Sequence, residues 1–181
     1  VSAPGISNSA EAPLSPALFA ELASFPGIAD AATTRSADVT AQLQENGDPI
    51  ALQVVALSKD LAGADRRYRA DSGGWEATWQ AVEQGSVLIN EPMSTRYGIG
   101  VGDSLYIQTD RGLEPFPIAG VIVDFDVRST ALMADEVYRS FWNDDLISAI
   151  ALFVAPGENV DVKVNEIRQA FAGRAELLVS S

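Results

Sequence analysis

The 181-residue chain contains no cysteine and no histidine. The first absence rules out a disulfide framework, a thiolate nucleophile and a Cys-ligated zinc; the second removes imidazole as general base or metal ligand. The only lysines are Lys59 and Lys163, so any catalysis would run on carboxylates, hydroxyls or these two amines. No stretch of 18 or more apolar residues occurs, the richest run being Leu146 to Ala155 with Ser148 inside it, and nothing reads as a bilayer-spanning helix. Basic residues are scarce: 12 Lys and Arg stand against 25 Asp and Glu, a net charge of −13. Nucleic acid and anionic lipid surfaces both recruit proteins through cationic footprints and are excluded as unassisted partners. The chain begins at Val1 with no basic segment leading into an apolar one, which reads as a processed protein or a piece of a longer one.

What is present is a globular composition, 47% hydrophobic with a mean hydropathy of +0.08, enough for one core or two small subdomains. Ser15 and Pro16 predict a helix N-cap and first turn. Leu18 and Leu22, widened by Phe19 and Ala23, give that helix one apolar face before Pro26-Gly27 ends it. Residues 28–40, rich in Ala, Thr and Val, and residues 50–58 predict a hairpin about the turn at Asn46-Gly47-Asp48-Pro49. Near the other end, residues 147–154 are apolar at nearly every position, as in a strand covered on both faces. Pro156-Gly157 breaks it. Val160, Val164, Ile167 and Phe171 then mark a helix with Asn159 as N-cap and Gly173 as stop, followed by a closing strand at 176–180.

Between these ends the pattern predicts a helix at 75–84, a strand at 86–90, a short helix at 92–97, strands at 104–109 and 117–124 about a turn at Asp110-Arg111-Gly112, and a helix at 135–142. The order of elements predicts an α+β fold whose first and last segments, 1–58 and 147–181, form the two halves of one layer, with 59–146 inserted.

Three runs then carry a resemblance. They are Val87-Leu88-Ile89-Asn90-Glu91-Pro92-Met93, Tyr97-Gly98-Ile99-Gly100-Val101-Gly102-Asp103 and Ile118-Ala119-Gly120-Val121-Ile122-Val123-Asp124. Together with Val1-Ser2-Ala3-Pro4-Gly5, Phe25-Pro26-Gly27-Ile28 and the Ile167-Arg168 helix, the sequence resembles the extracytoplasmic core domain of MacB/FtsX-type ABC transporter permeases. The resemblance implies a porter-like α+β lobe made by the chain ends and an inserted lobe of mixed strands and helices. It also implies transmembrane helices before Val1 and after Ser181 in a parent protein of the cytoplasmic membrane. A cytoplasmic ATPase would power that permease, which is expected to be dimeric, with an extracytoplasmic protein, lipoprotein or lipid as cargo. The domain itself is expected to be non-enzymatic, with no catalytic, cofactor or metal-binding residues. Fold alone does not name a cargo.

Several local constellations carry chemistry of their own. Gly98, Gly100 and Gly102 follow G-x-G-x-G spacing, and Asp103 would set negative charge against a pyrophosphate, so they read as a turn rather than a nucleotide loop. Asp124 and Asp126, with Asp144 and Asp145 further on, would be the carboxylates of a glycoside hydrolase or of a calcium site; in a chain this acidic such pairs are expected by coincidence, and no D-x-[DN]-x-[DN]-G loop is present. Ser58-Lys59 is a poor dyad, because neighbours on a strand face opposite ways. Arg66, Arg67 and Arg69 around Tyr68 form the one dense cationic cluster. Guanidinium forks suit acidic or phosphate groups, while a short charge run is more commonly a solvated loop. Trp75 and Trp79, at i and i+4 on one helix, read first as core packing and second as a protein-contact surface with the arginines. The alternatives to a permease domain are a carboxylate-dependent hydrolase and a free-standing ligand-binding protein.

Overall fold

The computed structural model describes residues 14–58, 68–69, 74–123 and 127–172. The expected closing strand at 176–180 and its preceding Gly173 lie outside them. Among the described residues are eight strands, β1 (Ile28–Gln42), β2 (Ile50–Leu57), β3 (Tyr68–Arg69), β4 (Val87–Asn90), β5 (Ser104–Thr109), β6 (Gly112–Ile122), β7 (Thr130–Ala134) and β8 (Ala149–Val154). Five helices accompany them: α1 (Pro16–Ala23), α2 (Trp75–Glu83), α3 (Glu91–Tyr97), α4 (Asp135–Phe141) and α5 (Val160–Ala170). The strands form one mixed eight-stranded sheet.

The chain divides into two compact units, Val1–Thr33 with Leu146–Ser181 and Thr34–Asp145. The expected boundary between the chain ends and the insert stood at 58/59, whereas the division in the structure falls at 33/34. The reason is hydrogen bonding. From Thr34 to Ala41, β1 lies antiparallel along the whole of β2, and β2 in turn runs parallel to β7 from Gln53 to Leu57, so the hairpin packs with the central strands.

In the central unit the pairings return to their start. β7 is antiparallel to β4, β4 parallel to β6, β6 antiparallel to β5, and β5 meets β1 again at Ala41 and Gln42. Six strands thus close into a ring, which leaves no continuous sheet edge and packs its interior with side chains. Period-2 alternation on β1 sets Arg35 and Ala41, both buried, on the same face as Ala37 and Val39, which pack against the core. All residues of β4 and β7 are buried, because α2 packs against both strands while α3 packs on β4 and α4 on β7.

β7, like the two-residue β3, is a strand that the sequence pattern does not announce. Its five residues run straight into α4 with no turn residue between, so neither length nor punctuation marks it. β6 is longer than expected, beginning at Gly112 and passing through Pro115 and Pro117. Ile118 donates its N–H to Asp103 O on the β5 side. Alternation therefore turns the nitrogens of Pro115 and Pro117 to the opposite side, where β4 pairs only from Ile118 onward, and no ladder bond is lost to either proline.

In the terminal unit, Ser15 caps α1 by accepting from the Leu18 amide at 3.2 Å, and Asn159 caps α5 by accepting from Val162 at 3.1 Å. Leu22, Ile167 and Phe171 make a small core with Leu18, Phe25, Ile28, Ile150 and Leu152 packed on it. β8 is half-covered rather than covered on both faces: Ile150 and Leu152 pack on that core while Phe153 is exposed. Helix α5 also departs from its apolar pattern. Val160 is exposed and Lys163 is buried in the stripe instead, its ammonium 2.7 Å from Glu166 and 3.6 Å from Glu158. The Glu166 hydrogen bond, with help from Glu158, raises the ammonium pKa above its usual value against the cost of desolvation.

Lys163 lies against Gly27, which holds φ +82°, and a Cβ there would come within 2.7 Å of Nζ. Gly27→Ala therefore combines left-handed strain with displacement of the lysine and should cost about 1–3 kcal/mol. All three tryptophans, Trp75, Trp79 and Trp142, belong to the central unit. Hydrogen exchange should accelerate in α5 while tryptophan fluorescence is unchanged.

Candidate functional site

Arg66 and Arg67, the centre of the expected contact surface, lie outside the described residues. Arg69 is placed by its backbone: β3 pairs antiparallel with the end of β6, setting Tyr68 opposite Ile122 and Arg69 opposite Val121. Trp75 and Trp79 do share one helix face, with ring centroids 5.2 Å apart. Trp79 is only 1% exposed and its indole N–H donates to Glu83 Oε1 at 2.8 Å. It is therefore core, as the first reading of the pair had it, while Trp75 is half-buried against that core.

The end of β6 also faces the junction of β4 and α3, where the first motif run lies. Asn90, fully buried, ends the strand and caps the helix. Its Oδ1 accepts from Met93 N–H at 3.3 Å and from Thr130 N–H at 3.2 Å, while Nδ2 donates to Arg128 O at 2.7 Å. One amide thus caps α3 and latches the start of β7 beside the end of β4. Arg96 in the last turn of α3 donates to Val127 O at 3.0 Å, and Val127 is 70% exposed. Gly98 ends α3 in the left-handed conformation, φ 66° and ψ 32°. Asp103 accepts from Gly100 N–H at 2.9 Å, and its carboxylate closes the glycine turn from within. The turn expected of Gly98, Gly100 and Gly102 is what the structure holds.

A second polar group lies where β1 meets α4. Arg35 is buried with its Nε–H donated to Asp135 Oδ1 at 2.8 Å. The Tyr138 hydroxyl donates to Asp144 Oδ2 at 3.0 Å, and Trp142 stacks on the Tyr138 ring at 4.7 Å. Burial first, then the Asp144 carboxylate, push the Tyr138 hydroxyl well above the usual tyrosine range. Asp144, one of the carboxylates considered for hydrolysis, is thus engaged in structure. Asp124, Asp126 and Lys59 lie outside the described residues. Beside α4, a shallow depression lined by Glu83, Pro115, Phe116, Pro117, Ser140 and Phe141 opens to solvent, and Arg111 lies over the Phe141 ring at 5.4 Å. Among the described residues no three acidic side chains converge as metal ligands.

An α+β domain of this topology is the fold of the extracytoplasmic domains of ABC transporter permeases of the MacB and YknZ type. The extracellular domain of the ABC-type transporter YknZ from Gram-positive bacteria superposes with a TM-score of 0.63 at 10% identity, over 93% of this chain and 90% of that one. The periplasmic region of MacB from Actinobacillus actinomycetemcomitans gives 0.60 at 12% identity, over 87% and 72%. A permease domain from Porphyromonas gingivalis gives 0.53 at 17%, over 90% and 78%. In sequence, the chain is 29% identical over 163 residues to the uncharacterized ABC transporter permease protein Rv0987 of Mycobacterium tuberculosis, covering 88% of this chain and 19% of that protein. No family model matches the chain. The resemblance read from the three motif runs is borne out, and no described helix is long and apolar enough to cross a membrane.

Asn90→Ala removes the α3 cap, the Asn90 acceptor of the Thr130 amide and one donor to the Arg128 carbonyl; it should cost about 2–4 kcal/mol in urea unfolding. A second measurement follows from Tyr138. A hydroxyl whose pKa is raised by folding contributes stability that is complete below about pH 10, the unfolded value, and is lost as pH climbs through the folded one. Phenolate absorbance should show one of the four tyrosines lagging until the protein unfolds in alkali, and Tyr138→Phe should abolish the lag.

Proposed function

We propose that this chain is the extracytoplasmic, non-enzymatic domain of an ABC transporter permease, in which it contacts a cargo or partner protein and relays motion driven by a cytoplasmic ATPase. The observation that carries the reading is the coincidence of two independent similarities over most of the chain. The fold matches extracellular and periplasmic permease domains, and 88% of the sequence aligns to an ABC permease of which it spans about a fifth. A parent with membrane helices on both sides of this segment fits that share of length, and we take that parent to work as a dimer. Two lobes joined at both ends suit relay by displacement of rigid bodies, since a closed strand ring moves as a unit instead of absorbing strain.

We assign the contact surface to Arg66, Arg67 and Arg69 with Trp75, the half-buried member of the tryptophan pair. In a chain of net charge −13 such a cluster offers guanidinium forks to an acidic protein or lipid-phosphate group on the cargo or partner. Trp79 packs against the Trp75 ring, with centroids 5.2 Å apart. The carboxylate-hydrolase reading gains no support from Asp144, whose Oδ2 is occupied by Tyr138.

The absence of cysteine gives a clean test, because one introduced thiol is unique in this domain. Thr95 is exposed on α3. Thr95→Cys in the parent protein, otherwise cysteine-free, should react with a membrane-impermeant maleimide added to intact cells or, where an outer membrane is present, to spheroplasts. Labelling that needs lysis of the cytoplasmic membrane would place the domain inside and end the proposal. In the same cells, charge reversal at Arg66, Arg67 and Arg69 should lower cross-linking to the cargo or partner while maleimide labelling of the Thr95→Cys protein stays the same.

A further inference from the structure

Two stretches of backbone join the compact units, one crossing between Thr33 and Thr34, the other between Asp145 and Leu146. Within two residues of each crossing, on the central side, stands a polar anchor, and both anchors are fastened to α4. Arg35, its side chain 8% exposed, holds Asp135, the first residue of α4, at 2.8 Å. Asp144 is held by the hydroxyl of Tyr138, in the middle of the same helix, at 3.0 Å. A longer contact of 3.5 Å from Arg35 Nη1 to the Asp144 carbonyl joins the anchors directly. The chain leading to the second crossing is further fixed by Trp142 stacked on Tyr138 and by Asn143 N–H donated to Asp110 Oδ2 at 2.8 Å.

We infer that α4 is a clasp: it ties both crossings to one short helix, so that residues 34–36 and 143–146 hold or loosen together. The chemistry favours joint behaviour. A guanidinium–carboxylate bond is directional, so it holds a geometry where apolar contacts would allow sliding. Neutralising Asp135 takes a counter-charge from the buried Arg35 guanidinium, which weakens its neighbours as well. Any displacement carried along the backbone from one unit to the other passes through these two crossings, and the clasp makes them one connection. The inference rests on contacts within the central unit and does not depend on the permease reading.

The test is hydrogen exchange by mass spectrometry on the full chain. Tyr138→Phe removes the hydroxyl from Asp144, keeps the ring on Trp142 and does not touch β1. The expected result is exchange about five- to tenfold faster at 143–146 and also at 34–36, with β4 and β5 unchanged. Asp135→Asn, which weakens the other anchor, should produce the same paired response. If that variant does not fold, Tyr138→Phe decides alone. Acceleration confined to the segment whose anchor was removed, acceleration at neither segment, or uniform acceleration through the strand ring overturns the clasp.

Discussion

Eight residue pairs between β1 and β2, from Thr34 opposite Leu57 to Ala41 opposite Ile50, join the two ends of what would otherwise be an open six-stranded path. Without them β2 and residues 34–41 of β1 would each expose a row of unpaired amides and carbonyls. With them, every strand of the ring has two neighbours, and the fully buried runs of β4 and β7 are stable because helices cover their outer sides. Closure also explains how the prolines of β6 are tolerated: the strand is long enough to pair with β5 along its first half and with β4 along its second. Both prolines fall where only one neighbour needs hydrogen bonds.

The ring in turn places the motif runs. Its parallel pairing of β4 with β6 brings the ends of both strands together, and Asn90 uses that proximity to reach across to Arg128 and Thr130. The motif run around Asn90 thus has a structural reason: a strand that stops, a helix that starts and a returning chain are all served by one side chain. β3 sets Arg69 beside the same end. Loops and helix termini held on a stiff ring are where recognition residues are commonly carried, since the ring keeps them in position while their side chains vary.

What was legible in the sequence was local. Ser15 and Asn159 cap where their side chains predict, and the glycine run from Gly98 turns the chain as its spacing implies. The resemblance carried by the motif runs reached the fold class as well. Long-range facts were hidden. Nothing in the period-2 pattern of β1 says that it will pair with β2 on one side and β5 on the other, and so the boundary at 33/34 could not be read. β7 lacked punctuation. Lys163 sits among apolar positions of α5 because two glutamates come to meet it, one of them outside the helix. Trp75 and Trp79 share a spacing that core and surface helices use alike, and only burial separates the two. Arg35 is distant in sequence from Asp135 and Tyr138, no motif announces these three, and Asp144 stands out only as a candidate carboxylate.

The closeness of Arg35 to Asp144 has a further meaning for how such a protein can change over time. The segment Thr34–Asp145 leaves and rejoins the rest of the chain at positions that one arginine side chain spans. A segment with adjacent ends is a cassette: it can be lengthened, shortened or exchanged while the scaffold that receives it keeps the same gap to bridge. Diversity within that segment can therefore accumulate without redesign of the part that receives it.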